Sequence, residues 1–322
     1  MIEISLILAV RNDAKNITSC LNSIWDDMES TCELIIVDDA STDHTAERIS
    51  KFLRNKNNIK VITNFQQEGL ASSLNKAVKN ASGKYLCRMD SDDINIKGRI
   101  SVLSEYLDSN LDVAVVGCQA FKFRSKINTK IGSVSIPICE NSIASRIIFD
   151  SPLIHPTAMI RASVFNNLGG YDTSYTYSQD YELWARMYVN GYKIGNVKFH
   201  GLYYRVSEDN NKDKITRRFT FTSMIRKTLI LNICPDMPLD SIDLHLYISG
   251  DTQMARYYPL KSIKALTAFY SVLAKSYGLK FFLPILIRKV LKLTKSDFSL
   301  ALKIISFIFF NLISGNLKSW KK

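Results

Sequence analysis

Glu33-Leu34-Ile35-Ile36-Val37 runs straight into Asp38-Asp39-Ala40-Ser41-Thr42-Asp43. A short apolar run rich in β-branched residues reads as a strand, and the sudden change to carboxylates and turn formers marks its end. The same unit recurs on both sides. Apolar runs stand at Ile4–Val10, Ile59–Thr63, 84–89 and 113–117, with helix-like stretches at 15–25, 45–53, 70–80 and 97–108 between them. Leu21, Ile24 and Trp25 fall at offsets of three and four, as do Leu70, Leu74, Ala77 and Val78, the period of a helix with one buried face. Ser41-Thr42-Asp43 followed by Glu47 reads as the start of the second helix. Strands returning about every 25–30 residues with helices between them imply βαβ units. The expected class is α/β, a Rossmann-like, mostly parallel sheet flanked by helices.

Beyond residue 121 the rhythm loosens, and a second region begins near Ser151. It holds Ser151-Pro152-Leu153-Ile154-His155-Pro156, the turn Gly169-Gly170-Tyr171-Asp172, a helix-like run over 180–190 and a strand-like run over 197–205. The rest reads as helical. The expected organisation is one domain over 1–210, in two halves (1–117 and 118–210), then a helical extension over 211–322.

Charge separates these parts. The formal charge is +12, and residues 252–322 carry 13 Lys and Arg against a single acid, Asp297, so the whole excess lies in the extension. There the bases are mixed with Leu, Ile, Phe and Tyr, and residues 298–313 are nearly all apolar except Lys303. That run falls short of the ~20 residues that span a bilayer. It fits a helix lying on an anionic membrane surface, with a helical core extension as the plainer reading. Cys20, Cys32, Cys87, Cys118, Cys139 and Cys234 form no CxxC pair, which argues against structural zinc. No basic leader precedes Ile4–Val10, so the thiols are expected reduced, in the cytoplasm.

Three acidic features carry the chemistry. Asp38-Asp39 ends one strand, Asp90-Ser91-Asp92-Asp93 ends another, and Asp180 opens a helix; in open parallel sheets, ligands bind at the carboxyl ends of strands. Asp90 and Asp92, two apart on an extended segment, face the same way. Paired carboxylates of this kind suit Mg²⁺ or Mn²⁺, which in turn neutralises a diphosphate. Asp38 and Asp39 can accept hydrogen bonds from a base N–H or a ribose hydroxyl. Asp180 can take the proton of an attacking hydroxyl. Each has a structural alternative: a polar turn, a helix cap, and an acid stabilised by the helix dipole.

Taken together and in order, these pieces resemble the family-2 glycosyltransferases. The matching segments are Leu34–Asp43, Gly69-Leu70-Ala71-Ser72-Ser73-Leu74-Asn75, Ala81–Tyr85, Arg88-Met89-Asp90-Ser91-Asp92-Asp93-Ile94, His155-Pro156-Thr157, Leu168-Gly169-Gly170-Tyr171-Asp172, Gln179-Asp180-Tyr181-Glu182-Leu183-Trp184 and Tyr204-Arg205-Val206. The resemblance implies the A-type glycosyltransferase fold, with 1–210 as the catalytic domain, 1–117 as its nucleotide-binding half and 118–210 as its acceptor half. It implies a nucleotide-sugar site around Ala9, Val10, Asp38, Asp39, Gly69, Asp90 and Ser91, a metal at Asp92 with Asp90, and Asp180 as catalytic base. His155, Gln179, Tyr181, Trp184 and Arg205 are implied near the acceptor or donor sugar, with ordinary core packing as the other reading of Trp184. Gln179 stands where the family often has Glu, and Ser207 where many relatives have His. The Gln-x-x-Arg-Trp segment of processive synthases does not occur.

The expected activity is inverting transfer of one hexose or N-acetylhexosamine from a UDP-sugar to a hydroxyl of a lipid-linked glycan. The expected setting is surface-polysaccharide biosynthesis at the inner face of the cell membrane. A non-catalytic nucleotide-sugar-binding membrane protein on the same fold is the alternative. No nucleic-acid module accompanies the basic tail. Arg11-Asn12-Asp13 after the first strand is not the glycine-rich turn of a dinucleotide oxidoreductase.

Overall fold

The computed structural model describes residues 2–125, 129–206, 212–251, 258–293 and 298–314, and its contacts divide into two compact units. The first, Met1–Ile138 with Leu153–Asn211, is built on one sheet. Its strands are β1 (Ile4–Val10), β2 (Cys32–Asp38), β3 (Ile59–Thr63), β4 (Tyr85–Asp90), β5 (Ile94–Asn95), β6 (Val113–Phe123), β7 (Lys130–Val134), β8 (Met159–Arg161) and β9 (Lys193–Arg205). Their order is β3-β2-β1-β4-β8-β6-β9-β5, with β7 paired to β6. β3, β2, β1 and β4 run parallel. β8 lies antiparallel between β4 and β6, and β6 and β9 are parallel again.

The parallel half follows the sequence rhythm closely. Every residue of β1 and β2 is buried, as expected of strands covered by helices on both faces. The helices are α1 (Ile17–Trp25), α2 (Thr45–Phe52), α3 (Leu70–Lys79) and α4 (Arg99–Ser109). Ile17, Cys20, Leu21 and Ile24 of α1 and Ile100, Leu103 and Leu107 of α4 enter the main apolar core with Leu6, Leu8, Leu34 and Ile36. Each fully buried aliphatic side chain is worth roughly 1.5–3 kcal/mol, so this packing holds the strand ends in place.

The helix start expected at Ser41-Thr42-Asp43 is where α2 begins: His44 makes no side-chain cap, but Asp43 Oδ1 accepts from the N–H of Thr45, the first helical residue (2.9 Å). The same stretch joins two loops: Asn12 N donates to Ser41 Oγ (3.0 Å), Thr42 N to Asn12 Oδ1 (2.8 Å) and Ala14 N to Asp43 Oδ2 (3.1 Å). One local expectation is corrected. β6 extends to Phe123, well past residue 117. The polar Gln119 hides this extension in the sequence, yet it is buried and its amide is matched by the N–H and C=O of Ile136 (2.8 and 3.2 Å). The first unit is completed by α6 (Ala162–Asn167) and α7 (Gln179–Val189).

The second unit is Cys139–Pro152 with Lys212–Lys322. It contains α5 (Glu140–Ile147), α8 (Lys212–Ile233), α9 (Leu239–Ser249), α10 (Leu260–Tyr277), α11 (Leu279–Leu293) and α12 (Phe298–Ser314). The segment Cys139–Pro152 thus leaves the expected acceptor half and packs with the helices. Phe149 is the reason, its ring lying 5.2 Å from His245, 5.8 Å from Tyr270 and 5.9 Å from Phe282. His245 Nε2 donates to Ile148 O (3.1 Å), so Nδ1 accepts from Tyr270 O–H (2.7 Å). Burial and the nearby Arg226 push this imidazole down to about 3, keeping it neutral. Among the described residues no helix is long and apolar enough to cross a membrane. All six cysteines are free thiols, and all except Cys139 are buried.

Candidate active site

The sheet register gathers the first set of residues. Val10 stands opposite Asp38, and Ala9 stands opposite Asp90 on the other side of β1. The carboxyl ends of β1, β2 and β4 therefore bring Ala9, Val10, Asp38 and Asp90 to one level. Asp38 is buried, its Oδ1 accepting from Ser41 N (3.0 Å). Asp39 is buried as well and is fully engaged. Its Oδ1 accepts from Glu68 N (2.7 Å) and Asn64 Nδ2 (2.8 Å), and its Oδ2 from Gly69 N (2.9 Å). Burial raises the Asp39 pKa, but the donors from Glu68, Asn64 and Gly69 outweigh it and hold the carboxyl below its usual range. Asp39 thus fastens the loop 64–69 to the site, and Gly69 begins α3 at φ +91°, a conformation other residues rarely adopt.

The second set surrounds Asp90. Arg88, wholly buried, donates through Nη2 to Asp90 Oδ1 at 2.5 Å and through Nη1 to Met89 O. The Asp90 side chain is 31% exposed. Ser91 Oγ donates to Asp13 Oδ2 (2.7 Å), and Asn16 Nδ2 to Asp13 Oδ1 (2.6 Å). Asp92 is pushed up to about 6 by burial and by the charges of Asp90 and Asp13. Asp93 is buried, and burial, Asp90 and Asp92 raise its carboxyl well above the usual range; its Oδ1 accepts from Arg205 N (2.7 Å) and its Oδ2 has no partner. Asp13, Asp90, Asp92 and Asp93 therefore crowd one end of β4, and mutual repulsion of this kind is what a cation relieves. Among the described residues no three His, Cys, Asp or Glu side chains are arranged to hold a metal ion by themselves. The donor set fits a hard divalent ion that takes one or two carboxylates and completes its shell with phosphate oxygens and water.

Arg205 is placed at the acidic turn. Its Nε donates to Asp92 O (2.7 Å) and its Nη1 to Arg124 O (2.6 Å), with the guanidinium 4.4 Å over the Phe123 ring. These contacts brace the acidic turn. Ser207 lies outside the described residues.

The third set is centred on Tyr171. Asp180 lies in the first turn of α7, partly exposed, after Ser178 in a left-handed conformation (φ +59°). Tyr171 O–H meets His155 Nε2 at 2.9 Å. Burial raises the Tyr171 hydroxyl; Arg88 opposes this, and Asp180 and Asp90 add to it. Burial and Arg88 lower His155 well below its ordinary value, so its ring is neutral. Tyr181 (2% exposed), Trp184 (0%) and Gln179, expected near the acceptor or donor sugar, are buried, and for Trp184 this is the alternative reading of ordinary core packing. They belong to the core face of α7 with Leu183 and Met187, and Trp184 packs edge-on against His155 (6.4 Å).

Sequence reading missed Asp13, Arg88 and Asn75 as parts of the site. Asp13 lay in a loop read only for its lack of glycine, and Arg88 in a strand whose apolar neighbours hid it. A hollow of about 620 Å³ between α1 and α2, walled by His44, Arg48, Lys51 and Lys56, contains none of these residues.

Known proteins resemble this chain in sequence and in fold. EpsE of Bacillus subtilis, described as a putative glycosyltransferase, is 28% identical over 250 residues, covering 77% of this chain and 87% of that protein. An Escherichia coli UDP-Gal:alpha-D-GlcNAc-diphosphoundecaprenol beta-1,3-galactosyltransferase is 25% identical over 193 residues, covering 60% of this chain and 70% of that protein. The crystal structure of S. aureus TarS residues 1–349 in complex with UDP-GlcNAc superposes with a TM-score of 0.61 at 20% identity, covering 98% of this chain and 91% of that one. This likeness shows the fold, the expected A-type glycosyltransferase architecture. The sequence pattern described as Glycosyl transferase family 2 matches residues 5–169, from the first strand through the acidic turn to the glycine pair before Tyr171. A match over that stretch, on a sheet whose strand ends collect those carboxylates, makes this chain a member of glycosyl transferase family 2.

Proposed function

We propose that the chain transfers a single hexose or N-acetylhexosamine from a UDP-sugar to a hydroxyl of a lipid-linked glycan, inverting the anomeric centre, in surface-polysaccharide biosynthesis. The observation that carries this reading is the register of β1, β2 and β4, which brings Ala9, Val10, Asp38 and Asp90 to one level at the carboxyl ends of the parallel strands, where open sheets bind ligands. Asp180 in the first turn of α7 supplies the carboxylate this reading needs as a base. The E. coli relative, named for UDP-Gal and an undecaprenol-linked GlcNAc, supports the donor and acceptor classes.

In this reading Asp180 accepts the proton of the acceptor hydroxyl as its oxygen attacks the anomeric carbon. The bond from that carbon to the phosphate oxygen breaks, and UDP leaves from the opposite face. Ala9, Val10 and Asp38 border the nucleoside, Asp39 holds loop 64–69 against it, and Asp90 and Ser91 meet the ribose side. Asp92, with Asp90, would hold Mg²⁺ or Mn²⁺, which when bound offsets the charge gathering on the diphosphate. His155, neutral and fixed by Tyr171, lines the sugar side.

The second unit supports a place on the inner face of the cell membrane. Leu260, Leu279 and Leu302 are 51%, 46% and 48% exposed. Each is followed by an exposed lysine, Lys261, Lys280 and Lys303, a pairing suited to an interface of acyl chains and anionic headgroups.

The decisive comparison is D180N against wild type. Removing the base lowers transfer about 10²- to 10⁴-fold while UDP binding by calorimetry stays unchanged. Undiminished transfer by D180N would sink the assignment, and nucleotide binding without any turnover in wild type would favour a purely binding protein.

A further inference from the structure

Arg88 and Arg99 follow Trp184 among the largest fully buried side chains, and a buried guanidinium is costly unless its partners are well placed. Arg88 is held from several sides. Its N donates to Ala158 O (2.8 Å), and its O accepts from Arg99 Nη1 (3.1 Å). Arg99 is itself anchored by Pro156 O (2.6 Å) and Asn95 Oδ1 (2.6 Å). The Arg88 fork then spans two acceptors, Asp90 Oδ1 and Met89 O. Its Nε has no partner. Nothing in the sheet requires a charge at this position, because Leu86, Cys87 and Met89 of the same strand are buried and apolar. The one carboxylate it grips is the partly exposed Asp90 of the candidate donor site.

We propose that Arg88 is a positioning residue for donor recognition. From inside the sheet its two-pronged grip on Asp90 Oδ1 and Met89 O fixes the Asp90 carboxyl, so that the second oxygen is presented to a hydroxyl of the nucleoside. The proposal rests on the donor-site reading above. Its chemistry needs Arg rather than Lys, since an ammonium keeps the charge but cannot hold two acceptors in a planar fork. Arg99 is the support behind it, tying the Arg88 backbone to α4 and to the turn at His155–Thr157.

The test separates positioning from simple structural support by asking which part of the ligand is lost. UDP binding is measured by calorimetry and uridine binding by ligand-observed NMR, with GDP and guanosine as a second pair. Loss of one charge-assisted hydrogen bond corresponds to about a tenfold or greater loss of affinity. R88K is expected to weaken uridine and UDP alike by that factor, leaving the ratio of the two affinities within about twofold. Measured in EDTA, so that no metal contact of Asp90 enters the comparison, D90N should show the same loss, and R88K with D90N together no further loss, because Arg88 acts through Asp90. Wild-type affinity in R88K, a loss confined to the diphosphate, or losses that multiply in the double variant would each overturn the proposal. If R88K does not fold, D90E, which displaces the carboxyl from the fork, must give the nucleoside-dependent loss; unchanged uridine binding in D90E overturns it equally. A wild-type chain that binds neither UDP nor GDP would overturn the donor reading itself, and this inference with it.

Discussion

Asn75 of α3 grips the backbone of Tyr171 at two points: its Nδ2 donates to Tyr171 O at 2.8 Å, and Tyr171 N donates to its Oδ1 at 2.9 Å. A residue of the nucleotide-binding half thereby sets the phenol whose O–H meets His155 Nε2 at 2.9 Å. The approach is close because residue 170 is glycine. A Cβ there would lie 2.7 Å from Asn75 Oδ1, and the backbone is at φ +79°.

N75A should therefore disturb stability and transfer together. Both backbone groups of Tyr171 lose their partners, at a cost of about 2–4 kcal/mol. Urea denaturation should show a lower midpoint, and transfer should fall as Tyr171 and His155 shift. G170A should show the same pattern. Wild-type stability in both variants would mean that the clamp contributes nothing.

D39N should loosen the loop it fastens. An amide offers one oxygen where three donors now converge, so at least one N–H of Glu68 or Gly69 loses its acceptor, at about 1–3 kcal/mol. Amide hydrogen exchange at Glu68 and Gly69 should accelerate, and UDP affinity should fall about tenfold or more. Unchanged exchange at those two amides would remove this role.

Glu33 supplies acid-dependent stability. Its buried carboxylate accepts from Ser5 Oγ (2.7 Å), Ser82 N (2.6 Å) and Ser82 Oγ (2.7 Å), and pairs with Lys60 (3.0 Å). Burial raises its pKa, but these donors outweigh it and lower the group from 4.5 to about 2. A depressed carboxyl stabilises the fold above its unfolded pKa and loses that contribution as the pH falls through the folded one. The difference amounts to about 3 kcal/mol, lost between pH 5 and 2. In E33Q the unfolding free energy should be lower at neutral pH and decline less steeply through that window. Parallel curves for the two proteins would contradict the assignment.

Replacing Lys261, Lys280 and Lys303 by Gln should reduce attraction to anionic vesicles by about 1 kcal/mol each, a hundredfold or more together. Flotation with phosphatidylglycerol vesicles, compared with phosphatidylcholine and with high salt, checks this. Equal flotation of wild type and the triple variant would remove the membrane-surface role.

The parallel half of the sheet was legible because its signals are local. β1 and β3 begin and end where the apolar runs do, and α1 to α4 follow the three-and-four spacing to within two residues at either end. Gln119 shows how that reading fails: a polar side chain looks like a strand's end until its backbone partners at Ile136 are known. Tyr181 and Trp184 show the same limit on a helix, where the aromatic pair next to Asp180 turns inward because His155 and the core face of α7 lie there.

Apolar runs, helical spacing and abrupt acidic strand ends were enough to predict an α/β sheet and to single out Asp38, Asp90, Asp92 and Asp180, because such patterns depend on near neighbours along the chain. Partnerships belong to packing. Arg88 against Asp90 with Arg99 behind it, Asn75 on Tyr171, Asp13 beside Ser91, and Arg205 bracing the acidic turn join elements distant in sequence. Those pairings arise only when separate strands and helices bury a common core, so no local pattern could announce them.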